Sequence, residues 1–241
     1  MVRKSYLQYC GVARALDVVG ERWSLLIVRN LLLGPRRYSD LLAELPGITT
    51  NLLAKRLREL EELELIEKQL LPPPLAVSVY RLTDGGRALE LVIMELGRWG
   101  GRFMGSPGRQ DTFNLGWAFL SLKRRYEGGL SGTVEVRAAE QRFTLGFSKA
   151  YLSVEERAAE RADLTLSGEQ SAIVALFFRG VSAVRLEQSA GLSVTGSRTL
   201  LRDLERAFGP PEFAVGVAQP RAMTRRKLSK RKSSVSSKRA V

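Results

Sequence analysis

The chain contains no histidine and a single cysteine among its 241 residues. Histidine is the usual general base of hydrolases and the commonest zinc ligand, so its absence argues against Ser-His-Asp catalysis and most zinc sites. The lone Cys10 excludes an internal disulfide and fits a reducing compartment. Carboxylates are scattered, and neither a GxGxxG fingerprint nor a phosphate-binding GK[ST] loop follows a predicted strand. We therefore predict a protein that is not an enzyme and that carries no metal or cofactor.

Long apolar runs are also missing, since no segment approaches the roughly 18 consecutive apolar residues that a membrane span requires. The N-terminal residues show no secretory apolar core either. We therefore expect a cytoplasmic protein without a membrane partner. With 44% apolar residues, the chain has the composition of a folded protein and a length that suits one large or two ordinary domains.

Acidic residues are absent from the C-terminal end. Residues 219–241 carry nine lysines and arginines and no acid, whereas the two signs nearly balance before them. This composition cannot bury enough surface to offset the entropy of ordering, so we predict a disordered tail that binds nucleic-acid phosphate without regard to sequence. Anionic membrane suits it less well, because large apolar residues are not interleaved. The tail cations concerned are Arg225, Arg226, Lys227, Lys230, Arg231 and Lys232.

Glycine and proline divide the rest of the chain. The run Gly100-Gly101, followed by GSPG at 105–108, ends the first domain, and Gly209-Pro210-Pro211 ends the second. We predict a first domain at 1–104, a linker at 105–110, a second domain at 111–210 and a basic tail at 211–241. The fold class is a mainly α winged helix-turn-helix followed by a small α+β domain.

The first domain contains the pattern of two helices joined by a tight turn. A short helix over 39–44 is followed by a turn at Pro46-Gly47 and by a helix to about residue 63, which Thr49 or Thr50 caps. Leucines at 53, 57 and 60 share one face of this second helix and predict its buried side. The opposite face is polar and cationic and suits a DNA groove, although an ordinary solvated helix shows a similar pattern. It comprises Asn51, Lys55 and Arg58, with Arg56 at its edge.

A two-stranded wing and a long apolar helix follow. Strands are expected over 65–71 and 75–82, separated by the three prolines 72–74, which lack the N–H groups that a ladder needs. The helix that begins after Thr83-Asp84 carries more apolar surface than a small domain requires. This excess predicts either a dimer interface or packing against the second domain. The residues proposed for the interface are Leu96, Trp99 and Phe103.

The second domain mixes strand and helix patterns. Period-two alternation predicts strands at 133–137, 143–147 and 163–167. Ser167 and Ser197 are placed to cap the two helices that carry the remaining apolar residues.

The first domain closely resembles the HxlR-type winged-helix regulators. The similarity follows the family's order and spacing over residues 8–104. It is carried by Cys10, ALDVVGERWSLLIVR at 15–29, GPRRYSDL at 34–41, LPGIT at 45–49, LRELE at 57–61, YRLT at 80–83 and GRAL at 86–89.

This resemblance implies a homodimer joined through its terminal helices, with each recognition helix in a major groove of a roughly palindromic operator. It places Arg36, Arg37, Ser39, Thr49, Thr50, Asn51, Lys55, Arg56 and Arg58 at the DNA. We assign base edges to Asn51, Lys55 and Arg58, and phosphates to Arg36, Arg37, Thr50 and Arg56. The wing tip, PPPLA at 72–76, lacks the family's cations, so we expect no minor-groove contact from it.

Cys10 occupies the position at which some members of the family carry a redox-sensing thiol. Gly11 follows it where the family more often has proline. Two interpretations remain open, because a lone cysteine is either inert packing or a reactive thiol with a lowered pKa.

The second domain resembles the sterol-carrier-like domain that follows some HxlR-type regulators. The similarity rests on GTVEV at 132–136, ADLTLSG at 162–168 and LSVTG at 192–196. It implies an apolar cavity that holds a hydrophobic effector, and the alternative is a filled core that serves dimerisation alone.

These patterns together predict a homodimeric, sequence-specific regulator of transcription that binds double-stranded DNA and acts as a repressor. A dimer on an operator blocks polymerase without further contacts. The alternatives are a carrier of lipid-like molecules and a nonspecific nucleoid-binding protein.

Overall fold

The computed structural model describes residues 5–74, 76–105, 108–189 and 191–208. Within those ranges every helix is too short or too polar to traverse a lipid bilayer. The first domain contains α1 (Gly11–Val19), α2 (Ser24–Leu31), α3 (Tyr38–Glu44), α4 (Thr50–Glu62), β1 (Ile66–Leu70), β2 (Ser78–Leu82), α5 (Asp84–Arg87) and α6 (Leu89–Gly101).

Helix α4 is the second helix of the predicted helix-turn-helix. The Thr49 hydroxyl accepts a hydrogen bond from the Leu52 amide at 3.3 Å, which satisfies one of the free N–H groups of the first turn. Leu53, Leu57 and Leu60 are buried, so the leucine face packs on the domain core as its period predicted. The opposite face of α4 is therefore the one available to a partner.

Strands β1 and β2 form the predicted antiparallel wing, with Ile66 opposite Leu82. Arg36 adds a third short segment through two backbone hydrogen bonds with Tyr80, of 3.0 and 2.7 Å. The strands are shorter than predicted, because the proline segment between them cannot donate to a ladder.

The single helix predicted after the wing is divided into α5 and α6 at Ala88. Thr83 caps α5 by accepting a hydrogen bond from the Gly86 amide. A Cβ at Gly86 would lie 1.9 Å from the Leu65 carbonyl oxygen, so α5 is held tightly against the start of the wing. Phe103 lies beyond the end of α6 and not within a helix.

The second domain is an α+β layer structure, as predicted. It contains α7 (Leu115–Leu122), β3 (Gly132–Ala138), β4 (Gln141–Phe147), β5 (Leu152–Glu155), β6 (Leu164–Gly168), α8 (Gln170–Arg179), α9 (Ala183–Gln188), β7 (Leu192–Gly196) and α10 (Arg198–Leu204). The strands form one sheet in the order β5-β4-β3-β6-β7, in which only the β3 and β6 neighbours are parallel.

The two predicted caps of this domain differ in outcome. Ser197 caps α10, because its hydroxyl accepts a hydrogen bond from the Leu200 amide at 3.2 Å. The Ser167 prediction is wrong: this residue lies inside β6, and Glu169 occupies the N-cap position of α8. Ser167 continues the alternation of its strand, and the sheet pairing outweighs its capping propensity.

Some predictions fall outside the described residues. The boundary at 209–211 and the tail cations Arg225, Arg226, Lys227, Lys230, Arg231 and Lys232 belong to this group.

Candidate nucleic-acid interface

The candidate DNA-binding surface lies at the start of α3 and along the first turns of α4. The Tyr38 hydroxyl donates a hydrogen bond to the Thr50 carbonyl oxygen at 2.7 Å, which holds the two helices together at this end. The N-terminus of α4 points its partial positive charge to the same surface. The exposed predicted residues are Arg37, Ser39, Thr49, Thr50, Asn51, Lys55 and Arg58.

Lys55 is only loosely held at this surface. Its ammonium lies 3.8 Å from the Glu59 carboxylate one helical turn further on, and both side chains are partly exposed. An exposed pair of this kind contributes about 0.3–0.5 kcal/mol. The cost of exchanging it for a phosphate or base contact is therefore small.

Arg36 is not at this surface, although the sequence analysis assigned it a phosphate contact. It is only 6% exposed. Its Nε donates to Glu44 Oε1 at 3.0 Å, and another guanidinium nitrogen donates to the Glu156 carboxylate of the second domain. The charge of Arg36 is therefore paired with carboxylates within the protein, and we assign this residue a structural role.

Arg56 is likewise 6% exposed and bound within the protein. Its Nε donates to the Arg22 carbonyl oxygen at 3.1 Å, and the two remaining nitrogens pair with Glu59 and with Glu21, the latter at 2.5 Å. These contacts tie α4 to the connection between α1 and α2. The geometry therefore favours a structural role for Arg56 over the predicted phosphate contact.

An exposed apolar surface covers the end of α6. Trp99 is 57% exposed, and its ring centroid lies 4.8 Å from that of Phe103. Leu96, three residues before Trp99 on the same helix, is also exposed, and its place in an interface stays a prediction. Further exposed apolar side chains on α1 and α6 and after it are Val12, Leu16, Leu91, Val92 and Met104. Neighbouring exposed apolar side chains such as those on α6 are of the kind that marks a protein contact.

Cys10 is exposed and therefore does not pack in the core of the described chain, and its reactivity stays a prediction. It occupies the N-cap position of α1. The backbone amides of Ala13 and Val12 at the start of α1 favour the thiolate and lower the pKa of Cys10 below its usual value.

Aromatic rings fill much of the described interior of the second domain. Phe119 of α7 lies between Phe143 of β4 and Phe177 of α8, with ring centroids 5.0 and 5.3 Å apart. Tyr126 and Phe147 continue this cluster at 5.4 Å. The rings pack edge to face, so a ligand that enters here displaces aromatic side chains.

Among the residues with described placement, no group of three or more cysteine or carboxylate side chains is arranged to hold a metal ion.

Comparison with known proteins identifies both domains. The HxlR-like helix-turn-helix family model matches residues 18–107, and the SCP-2 sterol transfer family model matches residues 128–209. These matches agree with the resemblances noted from the sequence motifs.

Two curated relatives from Bacillus subtilis match the first domain. The HTH-type transcriptional regulator YodB is 38% identical over 94 residues, which is 39% of this chain and 83% of that protein. The uncharacterised HTH-type transcriptional regulator YvaP is 36% identical over 86 residues, or 36% of this chain and 80% of that protein. A solved structure of the reduced form of YodB covers 42% of this chain and 100% of its own, with 34% identity and a TM-score of 0.36.

The wing and the capped α4 lie within residues 18–107, which the HxlR-like family model matches. The chain therefore belongs to the HxlR-like helix-turn-helix family of DNA-binding transcriptional regulators and carries an SCP-2 domain after its DNA-binding domain.

Proposed function

We propose that the protein is a homodimeric repressor that recognises a specific double-stranded DNA operator through α3 and α4. The observation that carries this proposal is the exposed row of Asn51, Lys55 and Arg58 on α4. An amide and two cations on the first turns of a helix match the hydrogen-bonding edges of bases in the major groove.

Phosphate contacts complete the interface. Arg37, Ser39, Thr49 and Thr50 surround the start of α4 and are exposed. Such contacts hold the register of the protein on the duplex without reading its sequence. We leave Arg36 and Arg56 out of the interface, because both guanidinium groups are bound by carboxylates within the protein.

The homodimer is supported by the apolar surface at the end of α6. Trp99 and Phe103 contact each other with tilted rings, and each residue is more than half exposed. A two-fold axis through this surface would bury the rings and present two copies of α4 to successive major grooves. Such a dimer on an operator represses transcription by excluding polymerase.

A hydrophobic effector and a redox signal are the two inputs that we propose. The SCP-2 match supports an apolar ligand within the second domain, among the rings around Phe119. The exposed Cys10, with its lowered pKa, supports reaction of the thiol with oxidants or quinones.

Operator selection tests the proposal. The full chain is used to select bound DNA from a random duplex pool at about 150 mM salt, where nonspecific contacts are weak. We expect a palindromic sequence. Sequence-blind binding would support a nucleoid-binding protein, and absence of DNA binding would support a carrier of lipid-like molecules.

Arg58→Ala then tests the base-reading face. We expect it to weaken operator binding by about 1–3 kcal/mol and to relax sequence preference at one position of each half-site. Arg161→Ala is the matched control, because it removes the same charge from an exposed position of the second domain. Equal weakening of operator and random-duplex binding on Arg58→Ala would contradict a base contact.

A further inference from the structure

An ion-paired contact joins the second domain to the DNA-binding domain at Glu156. The Glu156 carboxylate binds the Arg36 guanidinium and also accepts a hydrogen bond from Gln141 Nε2 at 3.2 Å. The Glu156 backbone amide donates to the Leu33 carbonyl oxygen at 2.7 Å. Both the side chain and the backbone of Glu156 are therefore held at this boundary.

Arg36 connects Glu156 to the elements that we propose bind DNA. Its backbone pairs with Tyr80 of β2, and its Nε binds Glu44, the last residue of α3. Helix α3 is in turn joined to the first residue of α4 by the hydrogen bond from Tyr38 to Thr50. Glu156 is thus linked through one arginine to the wing, to α3 and to the start of α4.

Two carboxylates share the Arg36 guanidinium in a partly dehydrated site. Burial raises the pKa of Glu44, and the positive charge of Arg36 opposes that shift. Charges withdrawn from water depend strongly on their partners. Neutralising Glu156 would therefore disturb the position of Arg36 more than the loss of an exposed ion pair would.

Trp117 of α7 makes a second contact between the domains. Its Nε1 donates to Asn30 Oδ1 at 2.9 Å, and the Arg29 guanidinium lies 3.7 Å from its ring centroid. Asn30 is fully buried in α2, at the centre of the first domain. Two residues along the same helix as Trp117, Phe119 packs in the aromatic cluster of the second domain. Helix α7 therefore belongs to both domain cores.

We propose that Glu156 and Trp117 are positioning residues for DNA binding: through Arg36 and Asn30 they hold the helix-turn-helix and the wing in the arrangement that reads the operator. Operator affinity then depends on how α7 packs on the aromatic cluster. A ligand that displaces Phe119 would shift α7 and, through it, change the positions of α2 and α3. Ligand binding in the second domain would then change operator affinity. This inference rests on the operator binding proposed above.

The test compares Glu156→Gln with Glu155→Gln in the full chain. Glu155 is the adjacent residue, and its carboxylate pairs with the partly exposed Arg157, so the control makes the same chemical change without touching Arg36. We measure affinity for the selected operator and for random duplex, and amide hydrogen exchange across α3 and α4. We expect Glu156→Gln to lower operator affinity roughly 5- to 50-fold.

Three readouts, of which protection of the second-domain sheet is an additional one, separate positioning from a general loss of structure. Affinity for random duplex at low salt and protection of the second-domain sheet are expected to stay as in the control, while exchange in α3 and α4 rises. Operator affinity and exchange equal to those of Glu155→Gln would overturn the proposal. Loss of protection throughout the chain would overturn it as well, because the contact would then serve overall stability.

Trp117→Phe keeps an aromatic ring but replaces the indole with a smaller phenyl group, which removes the N–H that binds Asn30 and so tests the second contact. We expect it to weaken operator binding in the same direction, and an unchanged affinity together with unchanged exchange in α2 and α3 would overturn its role. If the unaltered chain selects no operator, the proposed function fails by itself. The positioning inference is then decided by exchange in α3 and α4 alone.

Discussion

Arg56 and Arg58 lie two positions apart on α4 and hold their guanidinium groups in different surroundings. Arg56 is buried against Arg22, Glu21 and Glu59, whereas Arg58 is exposed on the face that we assign to DNA. A helix turns by about 100° per residue, so residues two positions apart point to nearly opposite sides of it. One arginine therefore faces the core and the other faces solvent.

Arg56→Met is therefore expected to reduce the free energy of unfolding. The reduction is about 2 kcal/mol, because Glu21 and Glu59 lose a buried partner while remaining partly hydrated. Arg58→Ala is the control and is expected to change this free energy by less than about 0.5 kcal/mol. Urea denaturation followed by circular dichroism measures both. Equal stability of the two variants would mean that Arg56 is not a structural residue.

Cys10 gives a pH-dependent prediction. Because the folded chain lowers the pKa of this thiol, its alkylation by iodoacetamide should reach half of the maximal rate at a lower pH than in urea-unfolded protein. The same shift favours the folded state above the ordinary thiol pKa, and this contribution disappears as pH falls through the lowered value. Coincident pH midpoints for folded and unfolded protein would contradict it.

A functional role of the thiol has its own readout. The chain contains one cysteine, so diamide acts on no other thiol within the same chain. We expect diamide to change operator affinity and Cys10→Ser to abolish that response. An operator affinity that diamide leaves unchanged would remove redox sensing from the proposed function.

Helix α6 illustrates how an element can present more apolar surface than its own domain uses. Its buried side chains, Ile93 and Met94, face the core, while Leu96 and Trp99 stay exposed. Apolar surface of this extent is stabilised when another protein surface covers it.

Trp99→Glu tests whether that surface is the dimer interface. A buried, unpaired carboxylate at an interface is strongly unfavourable, so we expect the variant to be monomeric at micromolar concentration and to lose cooperative binding to both half-sites. Val184→Glu is the control, since it places the same charge at an exposed apolar position of α9. Sedimentation velocity measures the mass. A Trp99→Glu variant that sediments as a dimer would place the interface elsewhere.

Along the full chain, most of the net positive charge lies outside the two domains. The segment 221–241 contains nine cations and no acid, so we predict that it adds to DNA binding through counterion release. A chain that ends at Pro220 is therefore expected to keep its operator and to bind random duplex more weakly. Its salt dependence should be shallower by about 0.9 in slope for each phosphate that the tail no longer neutralises. Disappearance of operator specificity with the tail would contradict this division of roles.

Features that depend on neighbouring residues could be predicted from the sequence. The leucine period predicted the buried face of α4, and alternation predicted β3, β4 and β6. The sequence predicted a cap at Thr49 or Thr50, and Thr49 provides it. These patterns are local, because helix and strand geometry fix the orientation of residues a few positions apart. Helix α7, with the sequence LGWAFLSL, has no clear polar face and was not predicted.

Which charged residues remain available to a partner depends on the tertiary structure. Arg36 meets Glu156 across 120 residues, and Arg56 meets Glu21 across 35, so no local pattern could assign either pair. The exposure of Cys10 and the contact between Trp117 and Asn30 likewise depend on how distant parts of the chain pack together. The physical reason is that a charged or polar group is free to bind DNA only when the fold leaves it hydrated and unpaired, and its pairing partners come from distant parts of the chain.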